Sequence, residues 1–164
     1  MKYNRKNYLL QGMTYASGLV LFVSSPESYG ASISYNFSEN PGNQVLDTTT
    51  PKGPLASPFW NDNNAGITGS LAAGSEGNLV DNLGNTTSAA ISWNSTNTWW
   101  NGTGTGSEDA RVHVGYLDDG GAGVSVNMTG IPYDFYNVYG IIGSGEGANY
   151  TSRDFQVNGA WAYG

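Results

Sequence analysis

Beyond about residue 31, apolar and polar residues alternate over short runs separated by Gly, Asn, Asp and Ser. In Val124–Met128 (VSVNM), Val124, Val126 and Met128 share one parity, while Ser125 and Asn127 take the other. That is the period of a half-buried strand. Similar runs predict strands over Ser32–Phe37, Ala89–Trp93, Arg111–Leu117, Tyr136–Ile142 and Arg153–Val157. Asp118–Gly123 (DDGGAG) reads as a hairpin connection, Gly130-Ile131-Pro132 as a turn, and Asn158-Gly159 as a two-residue hairpin turn. No stretch past residue 31 sustains the 3.6-residue apolar period of a helix. Short strands with turns at this spacing predict an all-β fold, an antiparallel β-sandwich that is jelly-roll-like. Segment 40–85, with few β-branched residues, is expected to hold long loops.

The first 30 residues follow another pattern. Lys2, Arg5 and Lys6 form a cationic start, Ala16–Val23 is apolar, and Pro26, Ser28, Gly30 and Ala31 follow. This is the three-part layout of a secretory signal peptide, and the apolar run is shorter than a spanning helix requires. Residues 1–30 are therefore expected to be a leader removed on export, leaving an extracellular or surface domain over 31–164 with no membrane insertion. The chain stops at Trp161–Gly164, soon after a turn that should open a strand. The domain is accordingly expected to be truncated at its C-terminus.

Composition narrows the functional classes. Charged residues are 12% of the chain, against about 25% in an ordinary soluble protein. Aromatics reach 13%, and a disordered segment is poor in them. There is no cysteine, which excludes disulfides, thiolate metal sites and a cysteine nucleophile. Past residue 30, three cations (Lys52, Arg111, Arg153) face twelve carboxylates, a formal charge of −9. Without a basic patch to neutralise phosphates, nucleic acid is not an expected partner, and neither is an anionic lipid surface.

His113 is the single histidine. A general base or metal ligand is the functional reading, and a solvent-facing strand residue beside Arg111 the favoured one. No Gly-x-Ser-x-Gly elbow is present. The doublets Glu108-Asp109 and Asp118-Asp119 read first as turn chemistry, because neighbours on one strand face opposite ways and cannot flank a sugar together. The second reading is a calcium site at Asp118 and Asp119, completed by loop carbonyls. Asn61–Gly66 (NDNNAG) resembles half of an EF-hand loop, but Ala72 occupies the place of the bidentate Glu. Six Asn-x-Ser/Thr sequons arise in an Asn- and Thr-rich chain and mark no site by themselves.

The aromatics carry the most chemistry. Trp93, Trp99 and Trp100 lie within eight residues among Asn, Ser, Thr and Gly, and Tyr116 follows. Flat rings pack on the apolar faces of sugars, and amide or carboxylate side chains bond the hydroxyls. The competing role is core packing, which is expected for Trp93. The expected ligand-binding residues are Trp99, Trp100 and Tyr116, and the expected ligand a neutral or weakly charged polysaccharide or surface glycan.

Phe59-Trp60-Asn61, the run LVDNLGNTTSAAISWNSTNTWWNG at Leu79–Gly102, GYLDDGG at Gly115–Gly121 and GIPYDFYNVYG at Gly130–Gly140 carry a further signal. Together they resemble a domain common in secreted planctomycete and verrucomicrobial proteins, many of which end in a PEP-CTERM sorting signal. The resemblance spans about Ser32 to Gly159. It implies a secreted, jelly-roll-like domain and supplies no activity. The leading expectation is a non-catalytic surface or secreted module, glycan-binding or adhesive. The alternatives are a fragment of a polysaccharide-active enzyme and a purely structural envelope or matrix module.

Overall fold

In a computed structural model of the chain, the alternating segment Val124–Thr129 lies inside a six-stranded sheet. The structure describes residues 8–12, 19–24, 31–37, 46–63, 72–100, 106–112, 115–118, 120, 122–142, 155–157 and 160–162. The strands are β1 (Tyr8–Gly12), β2 (Leu19–Ser24), β3 (Ser32–Asn36), β4 (Asn61–Asp62), β5 (Ala73–Gly77), β6 (Ala90–Asn94) and β7 (Asn97–Trp100). After the helix α1 (Glu108–Val112) come β8 (Gly115–Asp118), β9 (Val124–Thr129), β10 (Asn137–Ile142), β11 (Phe155–Val157) and β12 (Ala160–Ala162). One sheet has the order β12-β11-β1-β9-β6-β5, a second β10-β2-β3-β4, and β7 and β8 form a two-stranded ribbon. All pairings between these strands are antiparallel except β3 with β4. The chain is thus an all-β protein.

Register explains the core. Ile91 sits opposite Met128 and Trp93 opposite Val126, so the apolar parities of β6 and β9 fall on one face. All four are buried. Ile33 and Tyr35 from the second sheet and Phe37 just past β3 join them, as do Leu79, Ala89, Leu117 and Val124. Burying a Val, Ile or Met side chain contributes roughly 1.5–3 kcal/mol. Trp93 lies over β5, where its register partner is Gly74. A Cβ on Gly74 would run into the indole ring. That close approach is why a strand as poor in β-formers as AGSEG can pair at this edge.

A smaller cluster of Leu46, Trp60 and Val112 joins loop 46–60 to α1, with Leu55 and Ile141 against it. The loop is braced by its own polar groups. Asp47 accepts from the backbone and hydroxyls of Thr49 and Thr50, and these bonds hold its carboxyl well below the usual carboxylate range. Trp60 Nε1 donates to the Ser57 carbonyl at 2.7 Å. Lys52 is 1% exposed. Its ammonium donates to the Asp47 carbonyl and lies 3.6 Å from Glu108 Oε2. Glu108 Oε2 also accepts the Asp47 N–H at 2.9 Å, and Asp109 Oδ1 the Gly53 N–H at 2.7 Å.

Three sequence expectations are corrected here. Arg111 and Val112 belong to α1, not to a strand. Ser107 Oγ accepts the Ala110 N–H at 3.3 Å, and the acidic pair Glu108-Asp109 fills the first turn, both of which favour a helix start. Glu108-Asp109 is consequently a helix-to-loop clamp and not a turn. Asp118–Gly123 does not join a hairpin, because β8 pairs with β7 whereas β9 lies between β1 and β6. By contrast, β11 and β12 do pair, with Val157 opposite Ala160, so only Asn158 and Gly159 separate them.

The stretch expected as a leader contributes β1, between β9 and β11, and β2, between β10 and β3. Among the described residues no helix is long and apolar enough to cross a membrane.

Candidate functional site

β6 ends at Asn94, and Ser95 turns the chain out of the six-stranded sheet. The Ser95 N–H and hydroxyl both donate to the Ala72 carbonyl, at 2.7 and 3.0 Å. β7 then pairs with β8, with Asn97 opposite Asp118, Thr98 opposite Leu117, Trp99 opposite Tyr116 and Trp100 opposite Gly115. Thr98 and Leu117 are fully buried, and Leu117 belongs to the main core. This fixes the inner face of the ribbon. Alternation places Asn97, Trp99, Tyr116 and Asp118 on the other face.

Trp99 is 47% exposed, an unusual state for so large an apolar group. Tyr116, Asn97 and Asp118 are half-buried. Side chains directly opposite on an antiparallel pair have Cβ atoms about 4.5–5.5 Å apart. Trp99 and Tyr116 therefore stand side by side, and the Asn97–Asp118 pair follows one step along the same face. Asp118 Oδ1 accepts the Gly120 N–H at 3.2 Å, which ties the end of β8 to the next turn. Gly120 has a left-handed φ of 49°, and a Cβ there would come within 2.7 Å of Thr96 Cγ2. Glycine thus lets this turn close against the start of β7.

Of the residues expected to bind ligand, the structure brings Trp99 and Tyr116 together. The side chain of Trp100 lies outside those described, as do Asp119 and His113. Of the expected calcium pair only Asp118 is placed, and it caps a turn. Among the described residues no three carboxylate or imidazole groups converge. Trp93 is core, 6% exposed, with ring centroids 5.5 Å from Phe37 and 5.9 Å from Tyr35. Sequence reasoning missed Asn97, whose signal was its i−2 spacing from Trp99 on a strand.

Other aromatics are exposed elsewhere, Phe135 at 46% and Tyr139 at 42%. Tyr139 stands opposite Phe22 on β2, but the register of β10 with β2 sets no carboxylate beside that pair. Tyr35 is wholly enclosed and donates to Glu76 Oε2 at 2.8 Å. Burial, with Glu76 and Asp62 nearby, pushes its phenol far above the usual range, so it is a neutral donor and not an acid. Comparison with known protein families, curated proteins and solved structures finds no match to this chain.

Proposed function

We propose that this chain is an exported, non-catalytic surface or secreted module with a jelly-roll-like β-sandwich fold, which binds a neutral polysaccharide on the outer face of the β7–β8 ribbon. The observation that carries the reading is Trp99 standing opposite Tyr116 on an exposed face, beside Asn97 and Asp118. Two rings on rigid paired strands offer a stacking platform at little ordering cost, and the neighbouring amide and carboxylate can bond ring hydroxyls. The −9 formal charge beyond residue 30 disfavours polyanions. A stacked ring contributes about 1 kcal/mol or somewhat more, so affinity should be micromolar to millimolar.

Affinity electrophoresis in gels cast with neutral polysaccharides tests the site. Trp99→Ala is expected to weaken retention about tenfold, the equivalent of roughly 1.4 kcal/mol. Tyr116→Ala should do so to a smaller degree, and both variants should unfold at the parent's denaturant midpoint. Equal retention of parent and folded variants, or no retention of the parent in any gel, refutes the site.

Export has a separate test. The exported protein is expected to begin at Ala31 or Ser32, because the cationic start and short apolar run are those of a leader. N-terminal sequencing that returned Met1 would instead make β1 and β2 permanent strands of the two sheets.

A further inference from the structure

Apart from the ribbon, the end of the β3–β4 pair holds an unexplained polar group. Asn36 is fully buried, yet neither its Oδ1 nor its Nδ2 has a hydrogen-bond partner among the described residues. Ser34 Oγ, two residues earlier on the same face of β3, is also buried and, among the described residues, unpartnered. A buried polar group left without a partner costs about 1–3 kcal/mol, and native proteins resolve most such cases with ordered water or an ion. The parallel register sets Asn36 beside Asp62, so the two side chains leave the sheet on one face. Asp62 Oδ2 is sealed from solvent. The next residue, Asn63, is 5% exposed, and its N–H donates to the Asn36 carbonyl at 3.3 Å.

We propose that Asn36 and Asp62, with Asn63 beside them, form a binding site for a calcium-sized divalent cation that ties β4 to β3. The donors are amide and carboxylate oxygens, which suit a hard cation with flexible coordination. A water alone would satisfy the Asn36 amide. The half-buried Asp62 carboxylate beside it, whose Oδ2 is sealed from solvent, makes a cation the better occupant, since a nearby positive charge favours the ionised form. Asp62 and Asn63 are the second and third residues of NDNNAG, but the closing ligand comes from β3 and not from a downstream Glu. This is the relation that loop spacing alone could not reveal. With one carboxylate, affinity should fall in the weak range of roughly 10⁻⁴–10⁻³ M. Its residues are other than the expected calcium pair, Asp118 and Asp119, and other than those of the glycan face.

Terbium(III) titration of the whole chain tests the assignment, with emission sensitised through Tyr35 and Trp60, which neighbour Asn36 and Asn61 in sequence. The parent should show sensitised emission that calcium displaces, and millimolar calcium should raise its Tm by several degrees over chelator. Asp62→Asn should weaken binding at least tenfold, while Asp118→Asn leaves it unchanged. Asn36→Asp serves where Asp62→Asn fails to fold. It adds a second buried carboxylate, so it should be less stable than the parent in chelator and should gain more from calcium than the parent does. No emission from the parent, loss of emission in Asp118→Asn but not in Asp62→Asn, or an Asn36→Asp variant that calcium does not restore would each overturn the proposal.

Discussion

Trp93→Ala is expected to destabilise the protein by about 3–5 kcal/mol, the range for deleting a large aromatic from a packed core. The indole links β6 to β3 and the residue that follows it. It projects from β6, contacts Tyr35 and Phe37 of the second sheet's side, and fills the space that Gly74 leaves open on β5. Alanine would remove both ring contacts and leave Gly74 facing a void. The cost therefore combines lost transfer energy with a cavity that three different segments would have to close. Trp93→Phe should cost less, since a ring remains to meet Phe37. Gly74→Val should be harmful for the opposite reason, overfilling the same space. Equilibrium unfolding in guanidinium measures all three. A Trp93→Ala variant within 1 kcal/mol of the parent would show that the two sheets do not depend on this contact.

The same residue illustrates what sequence could convey. The parity of VSVNM identified the buried face of β9, and AAISW was legible as the strand β6, because alternation and β-former content are local consequences of strand geometry. Which strands pair is not local. Asp118–Gly123 has every mark of a hairpin connection, yet β8 and β9 join different sheets. AGSEG has no strand signal of its own and pairs because β6 offers an edge and Trp93 needs a glycine opposite. Asn61 shows the limit most clearly. Its amide donates to the carbonyls of Ser34 and Val80 and accepts the Val80 N–H, acting as a short surrogate strand between distant segments. At the ribbon, composition pointed to Trp99 and Tyr116 separately, and only the β7–β8 register set them side by side. The helix start at Ser107 was readable from its capping residue and acidic first turn, but the β-rich run after it masked the signal.

Lys52→Ala is expected to cost about 3 kcal/mol, near the lower end for breaking a buried ion pair by removing one partner. Lys52 has no exposed side-chain surface, whereas Glu108 keeps 17%. The loss therefore falls on a carboxylate that retains other company: Arg111 Nη1 at 3.3 Å and the Asp47 N–H at 2.9 Å. Those remaining contacts are why the expected value is not higher. Alanine also removes the aliphatic stem, so Lys52→Met separates charge from packing, and it should recover part of the loss. Pairing Lys52→Met with Glu108→Leu should recover more, because a buried ion pair replaced as a whole by apolar groups is often neutral. The damage should be concentrated in loop 46–60 and α1. Hydrogen exchange at Gly53, whose N–H is held by Asp109, is expected to speed up well before the β6–β9 amides do. Unfolding midpoints with exchange rates at these positions give the test. If Lys52→Ala and Lys52→Met are both as stable as the parent, the pair is only spatial and the loop is held by Trp60 and Leu46. If the β6–β9 amides accelerate as much as Gly53, the loop and helix are not a separate layer but part of one cooperative core.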